Sequence, residues 1–76
     1  MTPDPRRDVM VYQVAMLDAL SGVSIGDRWT VWVGTDSEGS FESEAEAVAL
    51  AAQLADEHRR PAWLTTAGGA VILLSP

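Results

Sequence analysis

Seventy-six residues with a net charge of −6, no cysteine and no lysine make one small domain. They exclude a disulfide framework, a thiolate zinc site, a thiol nucleophile and a Gly-Lys-Ser/Thr phosphate loop. A hydrophobic content of 47% with three Trp argues against disorder, and five arginines against eleven carboxylates argue against direct nucleic-acid or anionic-membrane binding.

Met1–Arg7 precedes an apolar stretch, which is the outline of a signal peptide. Tyr12, Gln13 and Asp18 interrupt that stretch, and Pro3, Asp4 and Pro5 spoil its basic start. Residues 1–7 therefore read as a flexible leader, 8–76 as a single α+β domain, and a cytoplasmic location is expected. No apolar run reaches the ~18 residues of a transmembrane helix.

Asp8–Leu20 is apolar almost without interruption and has two readings: a strand buried on both faces, or a helix ending near Ser21-Gly22. The β-branched and aromatic residues at 9–14 favour the strand. Gly22–Arg28 reads as a turn region and Trp29–Gly34 as a strand. Thr35–Ser40 reads as a hairpin loop, and Phe41-Glu42 as a short third strand.

Ser43-Glu44-Ala45-Glu46 is a capping box. It opens a helix predicted over 43–60, with Glu42, Glu44 and Glu46 at the positive end of its dipole. His58, Arg59 and Arg60 lie at the negative end, and Pro61 stops it. At 100° per residue, Ala47, Val48, Leu50, Ala51, Leu54 and Ala55 share one face. Ala62–Thr66 and Ala70–Leu74 read as short strands joined by an Ala67-Gly68-Gly69 turn.

The predicted architecture is β-β-(β)-α-β-β, an antiparallel sheet of three to five strands with one amphipathic helix on one face. Trp29 and Trp32 are three apart on a strand and point to opposite faces. Val71 and Leu73 oppose Ile72 and Leu74 in the same way. One helix cannot cover both apolar faces, so a homodimer or a docking surface is expected.

No motif supplies chemistry. His58 sits in the last helical turn with no nucleophile or metal motif beside it, and no serine lies in a Gly-x-Ser-x-Gly elbow. Asp36-Ser37-Glu38-Gly39-Ser40 lacks the glycine and glutamate spacing of a calcium loop. A non-enzymatic protein with no cofactor and no bound metal is expected.

Asp36, Glu38, Glu42 and Glu44 have two readings. They cap the helix and keep the chain soluble, or they form a docking surface for a protein partner with a basic face, with Trp29 or Trp32 as anchor.

The order Trp29-x-Val31, Gly39, Phe41, Ser43, Glu46-Ala47, Ala51, Gly68-Gly69 resembles a family of short bacterial domains of unknown function. Their outline is a Trp-x-Val strand, a Phe-x-Ser/Thr before a Glu-Ala helix, and a last hairpin with glycine. The resemblance covers 28–74 and implies no catalytic residues; Asp8–Leu20 is longer and more apolar than that pattern. In size, charge and ββαβ outline the chain also resembles small phage anti-CRISPR proteins, some of which act by occupying a surface on the interference complex. That likeness implies a phage or mobile-element inhibitor docking on a host nucleic-acid-handling complex. The alternative is a housekeeping dimeric accessory domain.

Overall fold

Val9–Leu17 is a strand, β1, which decides between the two readings of that segment. Val9, Met10 and Val11 are each buried, so this half of β1 meets packed side chains on both faces. The computed structural model describes residues 2–75; Met1 and Pro76 lie outside the described residues. The elements that follow are β2 (Ser24–Val33), β3 (Asp36–Phe41), α1 (Glu44–His58), β4 (Ala62–Thr65) and β5 (Val71–Ser75). They form one five-stranded sheet in the order β3-β2-β1-β4-β5 with the helix packed on one face, an α+β fold.

The sheet is mixed rather than purely antiparallel, because β4 lies parallel to β1 from Val9↔Ala62 to Tyr12↔Thr65. The cause is the connection. β1, β2 and β3 meander, and the helix then carries the chain back along the sheet, about 1.5 Å per residue. The next strand therefore starts from the same end as β3 and β1. A helical crossover joins parallel strands, where a tight hairpin joins antiparallel ones.

Two boundaries differ from the sequence expectation. The expected loop Thr35–Ser40 is mostly strand, since β3 starts at Asp36 and pairs from Val33↔Asp36 to Trp29↔Phe41. The turn is confined to Gly34-Thr35, with Gly34 at φ 58°. A Cβ on Gly34 would also stand 2.6 Å from the Arg6 carbonyl oxygen, so glycine is required twice over there. The expected turn region before Trp29 is strand from Ser24 onward. Pairing of Ser24, Gly26 and Asp27 with Leu17, Met16 and Ala15 outweighs their poor strand propensity.

The helix begins as its capping box requires: Ser43 is extended, and its hydroxyl accepts from the Glu46 N–H at 3.4 Å. It ends at Arg59, left-handed at φ 53°, whose N–H returns to the Ala55 carbonyl. Ala47, Ala51, Leu54 and Ala55 pack on Val9, Val11, Val31, Ala62 and Leu64. Three of the four buried helix residues are alanine, so the helix axis can sit close to the sheet. No helix is long and apolar enough to cross a membrane among the described residues.

On the opposite face the register aligns Trp32, Met10, Trp63 and Leu73 in one cross-strand row. Met10 sits between two indoles, contacts that favour its thioether, and is buried with Trp63. Beside the row Asp4–Asp8 forms a turn: the Asp4 carbonyl accepts from the N–H groups of Arg7 (3.0 Å) and Asp8 (2.8 Å). The sequence assigned most of this segment to a leader.

Candidate protein-binding surfaces

Beyond Tyr12 β1 has no β4 partner, and beyond Val11 it has no buried residue. The paired segments 14–17 and 24–27 therefore leave the body of the sheet as an arm, rooted where Gln13 accepts from the Ala67 N–H and Arg28 bonds Ser40, and the molecule extends to 42 × 21 × 20 Å. The arm carries Val14, Met16, Leu17, Leu20, Val23 and Ile25, all exposed. Single exposed apolar side chains are ordinary, but six on one hairpin, with Val14 and Met16 on one face and Ile25 on the other by register, make the arm apolar on both sides.

The tip of the arm is ordered. The Asp18 carboxylate accepts from the Leu20 N–H (2.8 Å) and the Ser21 N–H (3.0 Å). The Asp18 N–H donates to the Val23 carbonyl, and the Gly22 N–H to that of Asp18. The bonds from Ser21 and Leu20 hold the Asp18 carboxyl below its ordinary value. This Asx-type turn presents Leu20 at 100% exposure. At the root of the arm lies an open groove of about 480 Å³, lined by Met16, Ile25, Asp27, Trp29 and Glu42 among others. Arg28 borders it and pairs with Glu42 at 3.4 Å while bonding the Ser40 hydroxyl.

The sequence-derived partner residues divide among these surfaces. Trp29 and Glu42 meet in the groove, Trp29 half-buried against the helix-side core. Trp32 is half-buried on the opposite face, beside Met10 and Ser37. Asp36, Glu38, Glu42 and Glu44 are all exposed, along β3 and the helix start. At about 3.3 Å per strand residue, Asp36 and Glu42 are separated by roughly 20 Å. The carboxylates form an acidic edge rather than a single cluster.

A buried ionic cluster went unread in the sequence. Asp8, 2% exposed, accepts from Arg60 Nη2 (2.6 Å) and Nε (3.1 Å), from the Trp63 indole N–H (3.0 Å) and from the Asp4 N–H (2.9 Å). Burial pushes this carboxyl up. The bonds from Asp4, Trp63 and Arg60, with the Arg60 charge, outweigh it and leave Asp8 below its ordinary value. Every lone-pair direction has a donor, so the cluster has a structural role: it ties Asp4–Asp8 to β4. Among the described residues no group of three or more His, Asp or Glu side chains is placed to hold a metal.

The arm was also missed as a surface, although a signal existed. Asp18 followed by Ser21-Gly22, between the apolar runs ending at Leu17 and resuming at Val23, is a turn with an Asx mechanism. The Asp8–Arg60–Trp63 cluster joins residues more than 50 positions apart and leaves no local trace. The chain matches no protein-family model, no curated protein and no solved structure.

Proposed function

We propose that this chain is a non-enzymatic protein-binding module that inserts its β1–β2 arm into an apolar recess of a protein partner with a basic rim. The observation that carries the reading is Leu20, wholly exposed on a hydrogen-bonded turn at the end of an apolar hairpin. Ordering the backbone that presents such a side chain to water gains little for folding, and it lowers the entropy cost of docking. The basic rim follows from charge: Asp18 lies at the tip of the arm, Asp27 and Glu42 outnumber Arg28 in the groove, and the acidic β3 edge lies beside them. Nucleic-acid-handling proteins carry surfaces of that kind, which supports an inhibitor that occupies one in the manner of the anti-CRISPR proteins.

The test is capture of partners from the source host, followed by binding kinetics on the purified partner. Leu20→Ser with Ile25→Ser should speed dissociation, since buried apolar anchors act mainly on the off-rate. Reversing Asp36, Glu38, Glu42 and Glu44 to arginine should slow association and flatten its salt dependence, because exposed charges are screened beyond about 8–10 Å at physiological salt. A captured partner that binds the arm variant with unchanged kinetics removes the arm from the reading. Unchanged association by the quadruple variant reduces the acidic edge to capping and solubility.

A further inference from the structure

We infer that β5 is a self-association edge, at which a second copy of this chain adds antiparallel with Leu73 on the twofold axis, giving a continuous ten-stranded sheet. This goes beyond partner binding by the arm and stands on separate observations.

The first is the direction of the backbone groups. The Thr66 N–H donates to the Ala70 carbonyl at 2.9 Å, so Thr66 and Ala70 form a hydrogen-bonded pair at the start of the β4–β5 hairpin. In an antiparallel ladder such pairs alternate. Leu64↔Ile72 is then bonded, while Thr65↔Val71 and Trp63↔Leu73 are not. The N–H and C=O groups of Val71 and Leu73 point away from β4 toward the open side. A copy placed with Leu73 opposite Leu73 exchanges both bonds at the axis, and the strand is regular from Val71 to Leu73 before the irregularity opposite Ala62/Trp63.

The second is the side-chain row. Trp32, Met10, Trp63 and Leu73 run across the sheet in register and stop at β5, where Leu73 is 43% exposed. A twofold at Leu73 places a second Leu73 beside it and continues the row through Trp63, Met10 and Trp32 of the other copy. The surface is self-complementary, as an isologous contact demands.

The third is charge. A chain of net charge −6 repels its copies, yet residues 61–76 contain no charged side chain. The strand order puts β5 at the edge opposite acidic β3, four inter-strand spacings of about 4.8 Å away. Exposed edge strands are ordinarily blocked by charge, proline or a bulge directed outward. Val71, Ile72 and Leu73 are about half exposed and carry no charge or proline, and the irregularity in β5 lies beyond them, where Ala62 pairs with Ser75 rather than Leu74.

Sedimentation of the full chain tests this, and wild type at high micromolar concentration is expected at twice the chain mass. Leu73→Lys sets two charges against each other at the axis. Val71→Pro removes an N–H that only the second copy would bond, at an edge position that tolerates proline. Both variants are expected as monomers with wild-type circular dichroism, and the second keeps the test open if the first fails to fold. A monomeric wild type overturns the inference. So does a dimer of unchanged affinity in both variants, which would place the contact on the arm.

Discussion

The two edges of the sheet are both exposed and both irregular against their inner neighbours, opposite Val31/Trp32 and opposite Ala62/Trp63, yet they differ sharply in charge. β3 is Asp-Ser-Glu-Gly-Ser-Phe, exposed, acidic and bulged opposite Val31/Trp32, with the helix start at its end. β5 is Val-Ile-Leu-Leu-Ser, uncharged and half exposed. Both lie one strand away from a well-packed interior, so burial does not explain the contrast. It teaches that the carboxylates of β3 have a use within the fold that needs no partner: they keep that edge from templating another chain. The attachment of the two halves differs as well. β2 joins β1 through nine register pairs, whereas β4 joins it through four. The Asp8 cluster supplies what the short parallel ladder lacks.

Asp8→Ala is the largest break in that comparison. It removes the acceptor of Arg60, of the Trp63 indole and of the Asp4 N–H. Breaking a buried pair on one side costs about 3 kcal/mol, and because Arg60 is 39% exposed and can recover water, about 2 kcal/mol is expected here. Chemical denaturation measures the loss. Hydrogen exchange locates it, with β4 and β5 amides losing more protection than those of β2 and β3.

The same carboxyl sets an acid limit. Its folded value lies below the unfolded one, near 3.9. Its contribution is therefore complete above about pH 5 and is lost as pH falls through the depressed folded value. Wild type should lose stability below about pH 4, and Asp8→Ala should lack that part of the slope, as denaturation midpoints across the acid range will show.

Local signals carried most of the fold. Ser43 and Glu46 marked the helix start, the Ala/Leu spacing marked its buried face, and Gly68-Gly69 marked the last turn. Alternation placed Trp29 and Trp32 on opposite faces. What failed was non-local. The pairing of β4 with β1 depends on where the crossover returns, and strand propensity is silent on that. Asp36 and Glu38 looked like loop residues because edge strands are chosen for charge as much as for propensity. The carboxylates were legible as a patch of one sign, but the roughly 20 Å between Asp36 and Glu42 follows only once β3 is known to be extended. Leu20 gave no sign of its exposure, since burial depends on what the rest of the chain covers.

Ser43→Ala sharpens the comparison on the β3 side. Loss of an N-cap costs about 1 kcal/mol, and the 3.4 Å bond to the Glu46 N–H is long enough to put this one at or below that value. The helix start adjoins the acidic edge, so the exchange protection lost should lie in the first turn and leave β5 unchanged. Equal loss at β5 would mean that the two halves unfold as one unit.

The smallest effect on stability and the most direct test of the contrast belongs to Asp36→Thr with Glu38→Val. Both side chains are exposed, neither makes an ion pair among the described residues, and both replacements favour strand. Stability should change by no more than about 0.5 kcal/mol. Assembly should change much more. With the charge gone, β3 presents a second edge able to add a strand, and a chain open at both edges polymerises where a chain open at one edge stops at two copies. Sedimentation should show species heavier than a dimer, and adding Leu73→Lys to the same chain should return it to closed pairs joined through β3. If the double variant keeps the wild-type mass, the acidic residues do not protect that edge. The turn at Gly34 and the bulge opposite Val31/Trp32 would then be what prevents a strand from adding there.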